Sequence, residues 1–122
     1  MRSSVRTYKG ATPAERVRQR RDQLIAAAVD VFGTYGYRTS TVEHVCARAG
    51  LSKRYFYESF ADSESLLLAC YEQCAEEIFQ AMTTAVLGSA EDTDAQLRAA
   101  LTGYFTAIEA DQRRARITLL EI

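Results

Sequence analysis

Apolar residues recur along the chain at three- and four-residue spacing, and no stretch alternates apolar and polar positions as a half-buried strand does. Leu24, Ala28, Val31 and Phe32 fall on one helical face, so the spacing predicts a first helix over about residues 14–34. Thr12 can N-cap it, Pro13 suits its first turn, and Glu15 complements the positive end of its dipole. Gly36, in the run "TYGY", ends it. Val42, Val45, Cys46 and Ala49 stand at i, i+3, i+4 and i+7, the buried stripe of a second helix over about 42–48 with Thr41 as its N-cap. Gly50 can adopt the left-handed conformation that stops a helix without steric cost. Leu51 can pack inward as the chain turns, and Ser52 can cap a third helix over about 53–59, with Phe56 and Phe60 on one face.

A fourth helix starts near Asp62 or Ser63 and runs to about 87, its inward side marked by Leu67, Cys70 or Tyr71, Cys74, Ile78, Met82 and Val86. The polar run "GSAEDTD" at 88–94 is a loop that ends in helix-start residues. Leu97, Leu101, Tyr104, Phe105 and Ile108 mark a fifth helix over about 94–110. Asp111 can cap a sixth, which has no stop signal in "RRARITLLEI". Residues 1–13 are polar and basic with no apolar period and read as a flexible arm. With one proline and six glycines in 122 residues, the chain is expected to be all-α. Its length suits one domain, or one domain plus part of another.

Composition narrows the chemistry. The longest apolar run, Leu66 to Tyr71, is far short of the roughly 20 residues that span a bilayer, so no membrane partner is expected. The basic N-terminus leads into further charge and does not read as a signal peptide, which makes the cytoplasm the expected location. Three cysteines cannot all pair with one another. Cys46, Cys70 and Cys74 read as buried small hydrophobes, and a single histidine leaves no metal site or cofactor to expect. Net charge is −1, but residues 1–60 hold 11 Lys/Arg against 5 Asp/Glu, and residues 61–122 hold 4 against 11. Charges that merely solvate helices need not segregate in this way. A basic front half of this kind fits a polyanionic partner.

A helix, a four-residue turn with glycine and a second short helix make a helix-turn-helix over about 42–60. The second helix can lie in the major groove of DNA. Phe56 and Phe60 would hold it on the core, leaving Lys53, Arg54, Tyr55 and Tyr57 outward. Lys53 and Arg54 can donate to guanine edges or phosphates, and Tyr55 can lay its ring on a thymine methyl. Tyr57 carries a hydroxyl suited to a phosphate oxygen, and Thr41 and Ser52 sit at helix N-termini, where phosphate binds. Glu58 could accept from a cytosine or face away. Arg16, Arg18, Arg20 and Arg21 add attraction independent of sequence. No nucleophile–base pair, glycine-rich phosphate loop or carboxylate couple points to an enzyme.

The run "LIAAAVDVFGTYGYRTSTVEHVCARAGLSKRYFYESFADSESLL" resembles the DNA-binding domain of TetR-type bacterial transcriptional regulators. The resemblance covers about residues 20–70. It rests on Phe32 with Gly36-Tyr37, Thr41-Val42, the Ala49-Gly50-Leu51-Ser52 turn, Phe56-Tyr57, Phe60, and Glu64 with Leu66. It implies a three-helix DNA-binding domain over 14–62, a long linking helix, and the start of a helical ligand-binding domain over 63–122. Members of such a family are longer than this chain, so it reads as a fragment. The resemblance also implies a repressor, homodimeric at full length, on double-stranded DNA with a palindromic operator, released by a small-molecule inducer that tilts the fourth helix. Thr41, Ser52, Lys53, Arg54, Tyr55 and Tyr57 occupy the family's DNA-contact positions. Ser63 stands where the family often has a phosphate-holding lysine, and Arg38 or His44 could compensate. Phe79, Met82, Tyr104, Phe105 and Ile108 are expected to pack in the core or to wall a ligand pocket. The alternative is a helical protein-interaction module that keeps the helix-turn-helix shape without binding an operator.

Overall fold

The computed structural model describes residues 10–121, and all regular structure among them is helical. The elements are α1 (Pro13–Tyr35), α2 (Val42–Ala49), α3 (Lys53–Ser59), α4 (Ser63–Leu87), α5 (Thr93–Ala110) and α6 (Gln112–Ala115), the last running into a π-helical turn, Arg116–Leu120. Of the basic arm, residues 1–9 lie outside the described part.

The caps follow from local sequence. The Thr12 hydroxyl accepts the Glu15 N–H at 3.1 Å, and the Glu15 carboxylate accepts the Thr12 N–H at 2.7 Å, a reciprocal capping box. Gly36 ends α1 with φ of +93°, and Gly50 ends α2 with φ of +74° in the left-handed region. Thr41 caps α2 through the His44 N–H at 3.0 Å. Ser52 holds the N-cap position of α3, but its hydroxyl makes no capping hydrogen bond.

Four helices close around a core of large side chains. Leu24, Val31 and Phe32 of α1, Val45 of α2, Phe56 of α3 and Leu66 of α4 are each less than 2% exposed. Ile117, from the π-helical turn, is buried in the same cluster. The chain therefore folds back so that its late segment covers the first helix.

Several polar contacts fix that return. Glu121 accepts the Tyr37 backbone N–H at 2.6 Å and the Arg116 Nε–H at 3.2 Å, while Arg116 also donates to the Thr34 carbonyl at 3.1 Å. Asp30 lies between Arg48 of α2 (2.6 Å) and Arg113 of α6 (3.4 Å). Gly33 lets α6 approach, since a Cβ there would sit 2.6 Å from the Arg113 Cβ. Thr118 donates its hydroxyl to the Arg114 carbonyl at 2.6 Å. The i-to-i+5 bond from the Glu121 N–H to Arg116 closes the wide turn.

The structure corrects the expected face of α5. The stripe read as its marker is open to solvent at Leu97 (59%), Leu101 (50%) and Phe105 (58%), and the buried residues are Gly103 and Ala107. A Cβ at Gly103 would lie 2.8 Å from the Ala81 carbonyl oxygen and 2.9 Å from the Met82 Cα. Small residues let the α4 and α5 backbones meet, and close approach decides the packed face over side-chain size. The sixth helix starts at its Asp111 cap and changes its winding after Ala115. It is one α-turn and one π-turn, with Leu119 and Leu120 exposed.

Candidate nucleic-acid interface

The short helix α3 stands on two rings. Phe56 is fully buried and Phe60, just past the helix end, is 5% exposed; their centroids are 5.7 Å apart. With one face anchored, the helix must show its other side to solvent. Ser52, Lys53, Arg54 and Tyr57 are exposed there, Tyr57 at 56%. The Tyr57 ring meets Phe56 edge-on at 4.8 Å, which steadies it. The first N–H groups of α3 have no helical acceptor, and the unengaged Ser52 hydroxyl lies beside them. Hydroxyls, amide protons and cations arranged in this way suit an anionic backbone.

The charges on this face are arranged in pairs. Lys53 Nζ lies 2.6 Å from Glu43 Oε2 at the start of α2. Their hydrogen bond raises the lysine's affinity for its proton and lowers that of the carboxylate. Arg20 of α1 grips Glu58 with two parallel bonds, Nε–H to Oε1 at 2.9 Å and an Nη2–H to Oε2 at 2.8 Å. The Glu58 carboxyl is held below its usual range by that hydrogen bond. Arg54 is the one basic residue of α3 without an ion pair among the described residues.

Tyr55, expected to lay its ring on a thymine methyl, already has cations against that ring. It is half-buried, with the Arg20 guanidinium 4.4 Å from its ring centroid and the Arg54 guanidinium at 5.3 Å. Two cations compete for its faces, so its edge and hydroxyl are what it can offer a partner. Glu58 is turned toward α1 by Arg20. Neither Arg20–Glu58 nor Lys53–Glu43 was legible in the sequence, because each joins residues on different helices.

The other expected contacts surround this face. Thr41 is exposed at the start of α2, its oxygen engaged by the His44 N–H. His44 is exposed and its ring lies 5.2 Å from that of Tyr35. Arg38 is exposed in the loop between α1 and α2. Ser63, where the resemblance implies a lysine, bonds its hydroxyl to the Tyr37 hydroxyl at 3.1 Å and so ties α4 to the same loop.

A second surface lies at the far end. Tyr71, Ile78, Phe79 and Met82 of α4, Tyr104 of α5 and Leu119 line an open recess of about 410 Å³. The structure thus brings Phe79, Met82 and Tyr104 together. Ile108 lines a separate recess with Arg116 and Leu120, and Phe105 lines neither, its ring meeting Tyr104 edge-on at 5.2 Å. Among the described residues no cluster of His, Cys, Asp or Glu could hold a metal ion. No described helix is long and apolar enough to cross a membrane.

Taken with its buried base and exposed reading face, the α2–turn–α3 unit defines a helix-turn-helix protein. Residues 24–70 match the model of the bacterial regulatory proteins of the tetR family. Residues 24–70 thus carry that family's helix-turn-helix domain. The chain is 32% identical over 99 residues to the HTH-type transcriptional activator FasR of Mycolicibacterium smegmatis, covering 81% of this chain and 45% of that protein. It is 30% identical over 111 residues to the HTH-type transcriptional regulator BetI of Stenotrophomonas maltophilia, covering 91% and 54%. Among solved structures, the fatty acid degradation regulator FadR of Bacillus halodurans superposes with a TM-score of 0.75 at 25% identity, covering 84% of this chain and 53% of that one. The chain thus spans about half the length of the curated relatives it matches.

Proposed function

We propose that this chain is the DNA-reading part of a transcriptional regulator, with residues 14–62 as the DNA-binding domain and 63–122 as the start of a ligand-responsive one. The observation that carries this reading is the outward row Ser52, Lys53, Arg54 and Tyr57 on a helix whose opposite face is locked by Phe56. In this reading α3 enters the major groove and Arg54 reads a guanine edge. Tyr55 offers a base edge or phosphate its hydroxyl. Thr41, Ser52, Tyr57, Arg38 and His44 hold phosphates on either side. The protein works in the cytoplasm as a homodimer, which places two copies of α3 in successive major grooves of a palindromic operator.

The recess lined by Phe79, Met82 and Tyr104 supports a small-molecule site. Its walls are apolar, with tyrosine hydroxyls and Thr118 as the polar groups, so it suits a largely apolar ligand without net charge at that end. The names of the FadR relative and of the fatty acid metabolism regulator of Bacillus subtilis, 25% identical over 100 residues, agree with such chemistry. Ligand binding releases the operator in this reading, which makes the protein a repressor.

Selection of bound duplexes from a random pool tests the DNA reading. A recovered inverted repeat, with affinity that falls steeply as salt rises, is the expected result. Recovery of no preferred sequence, with binding insensitive to salt, would favour a protein-interaction module instead.

A further inference from the structure

Arg20 looks by charge like one more phosphate contact, but its surroundings give it another task. One donor edge, Nε–H and Nη2–H, faces Glu58 at 2.9 and 2.8 Å, and its flat face covers Tyr55 at 4.4 Å. Arg20 and Glu58 side chains are only 21% and 27% exposed, more enclosed than the Lys53–Glu43 pair at 51% and 64%. Glu58 is one residue past Tyr57, on a helix that must approach a polyanion. Without a partner its carboxylate would repel phosphate and could swing toward the duplex.

We infer that Arg20 is a positioning residue of the reading helix, which holds the Glu58 carboxylate and the Tyr55 ring against α1 so that α3 presents Arg54 and Tyr57 in one fixed rotation. This rests on the DNA reading above and names the residue that positions its reading helix. A guanidinium is required because a single group must fork to a carboxylate and stack on a ring; a lysine ammonium is a point charge that does neither together. The device is of one chain only and needs no partner subunit.

The test uses the protein as it is, with the duplex it selects from a random pool and a scrambled duplex as control. Arg20→Ala is expected to lower affinity for the selected duplex by about tenfold, since it leaves a like charge facing phosphate, and to narrow the preference over the scrambled one. Adding Glu58→Gln to Arg20→Ala is expected to recover most of that loss. Arg20→Lys is expected to behave like Arg20→Ala in preference. Circular dichroism melts of each variant identify any that fail to fold. Loss of the ability to fold in Arg20→Ala that Glu58→Gln does not relieve, or a double variant no better than the single, overturns the inference. So does an Arg20→Lys protein with wild-type preference together with a salt slope reduced by about one in Arg20→Ala, which is the signature of a direct phosphate contact. A wild-type protein that retains no duplex overturns the DNA reading itself. In that event a Glu58 titration by NMR, unchanged between wild type and Arg20→Ala, shows that the latch is absent as well.

Discussion

The two ends of this molecule are built on opposite packing rules. At the reading end, Leu24, Phe32, Val45, Phe56 and Leu66 interlock large side chains and leave almost none of their surface exposed. Along the α4–α5 pair, Gly103 and Ala107 bring two backbones together and the large side chains Leu97, Leu101 and Phe105 face outward. The first arrangement fixes one geometry, which a base-reading surface needs. The second leaves large apolar side chains open to solvent.

The comparison breaks most sharply at the core. Phe56→Ala should destabilise the protein by about 3–5 kcal/mol, whereas Phe105→Ser should change stability by no more than about 0.5 kcal/mol. Urea unfolding of the two variants checks the contrast; equal losses would mean that the two ends are packed alike. Gly103→Val should cost about 1–3 kcal/mol by wedging α5 off the Ala81 and Met82 backbone, because overfilling a close contact forces the helices apart. Thermal melts would show it. On the reading side, Arg54→Ala should relax discrimination at one base position by about 1–3 kcal/mol, while Tyr57→Phe should weaken binding to every sequence alike. Gel shifts over a panel of single-base variants separate the two.

Smaller effects follow from titration and thiol chemistry. The Glu121 carboxyl is held below its ordinary range, chiefly by the Tyr37 N–H and then by Arg116. A carboxyl depressed by folding adds stability above its unfolded pKa, and that stability is lost as pH falls through about 4.3 and below. Glu121→Gln should therefore flatten the acid side of the stability curve, read as urea midpoints at pH 7 and pH 3. Burial pushes the Cys70 thiol up to about 12 and Cys74 to about 11. Neither should react with iodoacetamide at pH 8 in the folded protein, and both should react once it is unfolded in urea, as mass spectrometry would show.

Much of this was legible in the sequence because it is local. Thr12 with Glu15, Thr41, and Gly50 are caps whose partners lie within a few residues, so spacing alone places α1 and α2. The buried stripes of α1 and α2 are equally local. The inward row of α5 was misread for a physical reason. Periodicity reveals that a face is apolar, but which face a helix buries depends on how closely its neighbour can approach, and Gly103 and Ala107 decide that. The pairs Arg20–Glu58 and Tyr37–Glu121 join residues 38 and 84 positions apart, so only the folded chain shows them. The π-helical turn has no compositional mark at all.

Ile117 gives that long-range closure a mechanical meaning. It sits in the cluster that contains Phe32 and Leu66, although four further helices lie between α1 and α6 in the chain. The three-helix unit is therefore not a freestanding module with a tail attached, since one of its plugs arrives from the far side of α5. Emptying that position would cost α1 packing at its root, and Arg116, one residue before Ile117, ties the same turn to the Thr34 carbonyl beside the elbow at Gly36.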